Sequence, residues 1–223
     1  MSKGIFITGT GTDVGKTYIT ALLLQKLRQR MDAVYFKAAL SGAEEVGGRL
    51  IAGDAHYVCK TAGIPGEPND YVSYIYRTAV SPHLAAKIVG NPAELFRIKA
   101  HFDCIRKKHD FVVAEGSGGI VCPIRYDNQK IMLTDIIKTL GLDIIIVTTA
   151  ALGSINSAVL TYEYARSKGI NVRGFILNMY DESDTMQRDN KYMIEQLTGA
   201  EILGYAAKNG SEITLISDIS QIT

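Results

Sequence analysis

Three observations predict an α/β fold: a single domain with a doubly wound, mostly parallel sheet flanked by helices. Four short apolar runs, at residues 5–7, 111–114, 144–147 and 175–177, have no polar residues alternating within them. Strands of a parallel sheet covered by helices on both faces read this way. Stretches with helical spacing alternate with these runs, as successive βα units require. The length, 223 residues, exceeds the usual ~150 per domain, but α/β domains often reach it as one unit.

The elements follow in chain order. The run at 5–7 is the first strand. Beyond Gly15 the apolar positions Ile19, Leu22, Leu23 and Leu27 make one helical stripe, and Arg28 and Arg30 suit that helix's negative C-terminal end. Ala33-Val-Tyr-Phe-Lys37 reads as a second strand. The section from about 41 to 91 is less regular and richer in Gly and Pro; it holds the turn Gly63-Ile-Pro-Gly-Glu-Pro68 and the aromatic run Tyr71-Val-Ser-Tyr-Ile-Tyr76. We expect an insertion within the one domain there. The strand at 111–114 runs into Glu115-Gly-Ser-Gly-Gly119. After the strand at 144–147, Gly153 opens a helix with Ile155, Ala158, Val159, Tyr162 and Ala165 on one stripe and Lys168-Gly169 as its stop. Met186, Met193, Ile194 and Leu197 mark a third helix between Asp184 and Thr198, and Glu201-Ile-Leu-Gly-Tyr205 is a weaker sixth strand. From Asn209 onward no helical stripe is evident. There is no internal repeat and no low-complexity linker.

Composition removes several function classes. Lys and Arg number 24 against 23 Asp and Glu, a formal charge of +1, so the basic footprint of a nucleic-acid partner is missing. At 47% hydrophobic residues the chain does not read as disordered. No apolar run approaches the ~18–20 residues of a membrane span. Met1-Ser-Lys-Gly-Ile-Phe-Ile-Thr8 is too briefly apolar for a secretory signal. Cys59, Cys104 and Cys122 fit neither a disulfide framework nor a CxxC pair and point to a reducing cytoplasm. None of the four His pairs at metal-ligand spacing, which argues against a zinc enzyme.

The chemistry is carried by Thr8-Gly-Thr-Gly-Thr-Asp-Val-Gly-Lys-Thr17, between the first strand and the first helix. A loop in that place aims several backbone N–H groups at one point, and the helix dipole adds positive potential, so it binds phosphate. Gly15 permits close backbone approach, Lys16 reaches the terminal phosphates and the Thr17 hydroxyl is placed to ligate Mg²⁺. The strict GxxxxGK[ST] pattern is missed by one residue, because Thr10 stands where its first Gly belongs. Glu115, ending a buried strand, occupies the position where enzymes of the P-loop NTPase fold keep a magnesium-holding acid, and Gly116, Ser117 and Gly118 behind it let the backbone near a phosphoryl group. Asp54 taken alone reads better as a helix N-cap. Lys37 ends the strand expected beside the first, where a second ammonium stabilises charge that builds up in phosphoryl transfer.

Taken together, the loop motif, Lys37 with Ser41-Gly42, Asp54-Ala55, Ser81-Pro-His83, Glu115-Gly-Ser-Gly-Gly119, Leu152-Gly-Ser-Ile-Asn156 and Asn178 resemble the dethiobiotin synthetase family, in that family's order. The resemblance implies an ATP- and Mg²⁺-dependent ligase of biotin biosynthesis. Carbon dioxide combines with one amine of 7,8-diaminononanoate to give a carbamate, ATP phosphorylates it, and the second amine closes a cyclic urea. It also implies roles. Asp13, Val14, Gly15, Lys16, Thr17 and Tyr18 surround ATP, together with Asp54, Glu115, Gly116, Ser117, Gly118 and the base-contacting Asn178. Thr17, Asp54 and Glu115 hold Mg²⁺; Lys16 and Lys37 neutralise the γ-phosphate and carbamate; Thr12 and Ser41 hydrogen-bond the reacting groups. The family is homodimeric: Gly153, Ser154 and Asn156 fit the helix start that meets the substrate carboxylate across the interface, and Tyr192 resembles a family Tyr that reaches the partner's substrate, while by itself it reads equally well as a half-buried aromatic.

The chain departs from the family in three places. Lys37-Ala-Ala39 replaces Lys-Pro-Val, Met179 replaces a frequently acidic residue, and Gly204-Tyr-Ala-Ala207 lacks the usual Pro beside the base. The main rival is a nucleotide-switch ATPase of the partitioning and positioning group. Those carry Lys-Gly-Gly-x-Gly-Lys-[Ser/Thr], and here Gly11 stands in place of that first Lys. A metal-inserting GTPase chaperone needs a Cys/His cluster, and a cobyrinate-type amidation enzyme needs a glutaminase domain for which 223 residues leave no room.

Overall fold

The computed structural model describes residues 4–222. In chain order its elements are β1 (Gly4–Gly9), α1 (Lys16–Leu27), β2 (Ala33–Ser41), β3 (Glu44–Val46), β4 (Arg49–Ile51), α2 (Gly53–Ala62), β5 (Val72–Tyr76), α3 (Pro82–Val89), α4 (Leu95–Arg106), β6 (Phe111–Glu115), β7 (Pro123–Tyr126), β8 (Lys130–Met132), α5 (Leu133–Leu140), β9 (Ile144–Thr148), α6 (Ser154–Ser167), β10 (Val172–Asn178), α7 (Thr185–Thr198), β11 (Ile202–Ala206) and β12 (Thr214–Leu215). Eight strands form one sheet in the order β12-β11-β10-β9-β1-β6-β2-β5. Every pairing in it is parallel except β11 with β12. The expected doubly wound α/β architecture is what the chain adopts.

Every residue of β1, β6 and β9 is buried, as their unbroken apolar runs require of strands sandwiched between helix layers. On the helical side, Ile19, Leu23, Leu24 and Leu27 of α1 are fully buried in the same core as Phe6, Tyr35 and Phe36. Register then fixes the chemistry. Glu115 at the end of β6 lies level with Ile7 of β1 on one side and with Lys37 of β2 on the other. The carboxyl ends of three central strands therefore converge on one crevice, which is where open α/β sheets bind ligands.

The irregular section holds more structure than its composition suggests. The aromatic run is β5, a strand of the main sheet: Val72, Tyr74 and Tyr76 are buried and alternate with half-buried Ser73 and Ile75. A small hairpin (β3–β4) and the helices α2 and α3 account for much of the remainder. Among the described residues the tail beyond Asn209 forms no α-helix; two of its residues pair antiparallel with β11.

Candidate active site

The strand-to-helix loop takes its shape from a few backbone constraints. Gly15 sits at φ +91°, a conformation that side chains disfavour, and a Cβ there would lie 2.0 Å from Asn178 Nδ2. Asp13 is also left-handed, at φ 60°. Thr10, the departure from the strict motif, has no positive φ to accommodate: its N–H donates to the Val147 carbonyl at 3.1 Å and its hydroxyl to Thr148 Oγ1 at 3.3 Å. The loop is thus pinned to β9, and a side chain is tolerated where glycine is usual. Asn178 supports it from below, Nδ2 donating to the Val14 carbonyl at 3.0 Å. Among the described residues Asn178 Oδ1 finds no partner.

Four charged groups from four stretches of chain meet in front of this loop. Lys37 Nζ donates to Asp54 Oδ2 at 2.5 Å and to Glu115 Oε1 at 2.7 Å. Thr17 Oγ1 donates to the same Glu115 oxygen at 2.8 Å, and Tyr35 OH donates to Glu115 Oε2 at 3.0 Å. Lys16 Nζ donates to the Gly11 carbonyl at 2.8 Å. Burial works hardest against the charge on Lys37, but attraction and hydrogen bonds from Glu115 and Asp54 outweigh it and hold its pKa above the ordinary lysine value. For Lys16 burial wins over the pull of Glu115, and its pKa is lowered. The Tyr35 phenol is held well above its usual value, first by burial and then by the Glu115 charge.

The resulting crevice has a volume of about 610 Å³ and is lined by Thr12, Asp13, Gly15, Lys16, Thr17, Tyr18, Lys37, Leu40, Ser41, Asp54, Tyr57, Glu115, Gly116, Ser117 and Gly118. Asp54, which alone reads as a helix cap, lies in the first turn of α2 behind the N-cap Ala52, and its side chain faces the crevice instead of capping the helix. Ser117 Oγ donates to the Ala39 carbonyl at 2.6 Å and ties the glycine turn to β2. Val14 and Asn178 stand behind the loop instead of lining the crevice. Sequence reasoning missed Tyr57, Leu40 and Tyr35. Two had a signal: Tyr57 follows Asp54 by one helical turn, and Tyr35 shares a strand face with Lys37 two residues on.

Gly153, Ser154, Asn156 and Tyr192 are not among the residues lining the crevice of their own chain. They gather at the start of α6 and on α7. Gly153 is left-handed at φ 88°, and Ser154 is buried with no partner for its hydroxyl among the described residues. Asn156 and Tyr192 are exposed. Asn190 of α7 fixes the approach to α6, donating to the Ala150 and Ala151 carbonyls at 2.8 and 3.1 Å.

The donor set fits a hard divalent cation. Thr17 Oγ1, Asp54 and Glu115 are all oxygen ligands, and the Lys37 ammonium already lies between the two carboxylates. Among the described residues no group of three or more His, Cys, Asp or Glu forms a self-contained metal cage. Mg²⁺ is usually held by one or two carboxylates with substrate phosphates completing the shell.

Comparison with known proteins bears on the chain as a whole. A family model described as an AAA domain matches residues 3–209. The "ATP-dependent dethiobiotin synthetase BioD" of Clostridium botulinum (strain Eklund 17B / Type B) is 50% identical over 213 residues, covering 95% of this chain and 93% of its own. The protein of that name from Brachyspira hyodysenteriae is 50% identical over 206 residues, covering 92% and 91%. Among solved structures, a ParA family ATPase from Chlorobium tepidum superposes with a TM-score of 0.59 at 15% identity, covering 94% of this chain and 86% of that one. The septum site-determining protein MinD from Pyrococcus horikoshii superposes with 0.56 at 18%, covering 94% and 82%. At those identities they share the P-loop fold and nothing narrower. Near-full-length identity of about one residue in two is of a different order, and by it the chain belongs to the ATP-dependent dethiobiotin synthetase family.

Proposed function

We propose that the crevice closes a cyclic urea: 7,8-diaminononanoate, carbon dioxide and ATP give dethiobiotin, ADP and phosphate. The observation that carries this reading is the meeting of Lys37, Asp54, Glu115 and Thr17 before the phosphate loop, in a chain half identical to enzymes of that name. The diamine brings its own nucleophile, so the protein's work is positioning and charge stabilisation. One amine takes up carbon dioxide and loses a proton, giving a carbamate. The carbamate oxygen attacks the γ-phosphorus and ADP leaves. The second amine then attacks the carbonyl of the carbamic-phosphoric anhydride, expelling phosphate and closing the ring.

The residues singled out from the sequence divide that work. Lys16 and Lys37 supply the two ammonium groups that neutralise the γ-phosphate and the carbamate. Thr12 and Ser41 hydrogen-bond the reacting groups. Asp13, Gly15, Tyr18, Gly116, Ser117 and Gly118 enclose the nucleotide, and Val14 and Asn178, behind the loop, keep the nucleotide contacts that the family resemblance implies, Asn178 toward the base. Thr17, Asp54 and Glu115 would hold Mg²⁺, which when bound shields the phosphate charge. The diamine's carboxylate is met by Gly153, Ser154, Asn156 and Tyr192 of a second copy in a homodimer. The apolar side chains left exposed near these features, Leu152 at 89% and Tyr192 at 57%, suit such an interface. The reaction belongs to the cytoplasm, where ATP and the diamine are available.

Incubation with the diamine, bicarbonate, Mg²⁺ and ATP tests the reading. The expected outcome is one phosphate released per cyclic urea formed, with release dependent on the diamine. Phosphate release indifferent to the diamine, with no cyclic urea, would overturn it in favour of a switch ATPase.

A further inference from the structure

The strand residue beneath the site carries more polarity than its position needs. Tyr35 is fully buried in β2, among core residues such as Phe6 and Phe36. An apolar side chain would fill that space without a hydroxyl to satisfy. Alternation along β2 puts Tyr35 on the same face as Lys37, and the register sets Lys37 beside Glu115. Tyr35 OH consequently reaches the inner oxygen of the Glu115 carboxylate, Oε2, at 3.0 Å. The other oxygen, Oε1, receives Thr17 Oγ1 at 2.8 Å and Lys37 Nζ at 2.7 Å.

We infer that Tyr35 is a positioning residue that locks the Glu115 carboxylate, capping Oε2 from below so that Oε1 alone is presented to the crevice. A carboxylate is free to turn about its last bond, and a glutamate at a strand end has three torsions to fix. Thr17 and Lys37 restrain only one of its oxygens, and both have business with the nucleotide and substrate. Tyr35 has none: it is sealed from the crevice, so its only reach toward the chemistry is through Glu115. A donor fixed behind a ligating carboxylate orients it and tunes its basicity, and loss of such partners typically weakens metal binding ~10–100-fold.

The inference rests on the proposed metal role of Glu115, and the test separates the two. Mn²⁺, as a paramagnetic probe, is titrated by electron paramagnetic resonance into the full chain with ADP present, for wild type, Tyr35→Phe, Glu115→Gln and the double variant. Tyr35→Phe should raise the Mn²⁺ dissociation constant ~10-fold while the KM for the diamine stays unchanged. In the Glu115→Gln background the same substitution should add no further loss, because a residue acting only through a carboxylate has nothing left to act on. Unchanged Mn²⁺ affinity in Tyr35→Phe, alongside weakened affinity in Glu115→Gln, overturns the role of Tyr35 and leaves the metal site standing. Unchanged affinity in Glu115→Gln overturns both. If Tyr35→Phe alone does not fold, the double variant, in which no Glu115 carboxylate is left without its Tyr35 donor, decides: affinity equal to Glu115→Gln supports the lock, and a further ~10-fold loss refutes it.

Discussion

Lys37 sits where two demands on one side chain meet. Its ammonium is sealed from solvent, with the side chain 5% exposed, and it neutralises Glu115, whose side chain is fully covered. A buried pair broken from one side leaves a charge with no compensation, at a cost of about 3–5 kcal/mol. Lys37→Ala should therefore lower thermal stability as well as activity, and the two losses separate on measurement. ADP binding, resting mainly on the loop N–H groups and Lys16, should survive in the folded variant. Turnover should fall by ~10²-fold or more, because a charge partner of the transition state is gone. Calorimetry of ADP binding beside steady-state kinetics checks this; near-normal turnover places Lys37 outside the chemistry. The acid partners were harder to read than the lysine. Asp54 in isolation resembles a helix cap, and only the folded register shows it reaching the Lys37 ammonium across 17 positions of chain.

At the scale of elements, the junction of β1 and α1 depends on a single glycine. Gly15 holds φ +91° against Asn178, with 2.0 Å available where a Cβ would go. Gly15→Ala must either shift the loop or evict the Asn178 amide, which carries the Val14 carbonyl. A left-handed backbone forced on a side chain costs about 1–3 kcal/mol, and the displaced N–H groups no longer converge on phosphate. ADP affinity should fall at least ~10-fold while the far-ultraviolet dichroism stays native; undiminished affinity would show that the loop reshapes without penalty. This junction was legible because a strand, a glycine-rich loop and a helical stripe lie within one short stretch. So were β6, β9 and β10, whose unbroken apolar runs can be satisfied only in a sheet covered on both faces. Other elements left weaker traces. β5 alternates in burial, but the pattern is written in tyrosines and sits between proline-rich turns, so composition masked it. The apolar positions of α4, Ile98, Phe102 and Ile105, carry a helical spacing that goes unnoticed beside five charged or His positions. β12 spans two residues, too few for any period to show.

For the whole molecule, the proposed site draws on two sets of residues, only one of which lines the crevice of its own chain. The crevice gathers the groups proposed to handle phosphate and carbamate, whereas Gly153, Ser154, Asn156 and Tyr192 lie at the start of α6 and on α7, outside its lining. In the proposed homodimer, a second copy related by a two-fold axis would bring each set to the other, twice over. A shared site has a signature that no monomeric enzyme can imitate. Lys37→Ala damages the crevice, and a change on α7 that introduces a negative charge, Tyr192→Asp, should oppose the substrate carboxylate; each homodimer should be nearly inactive. After mixing and subunit exchange, half of the dimers are heterodimers, and in each of these one site receives both defects while the other receives none. Activity should recover to about one quarter of the wild-type value for the same total protein, as random pairing in a two-fold dimer dictates. Sedimentation velocity on the same mixture confirms that dimers persist at assay concentration. No recovery in a mixture shown to have exchanged its subunits, or full activity from a sedimenting monomer, would place the carboxylate contacts within one chain and remove the reason for a shared site.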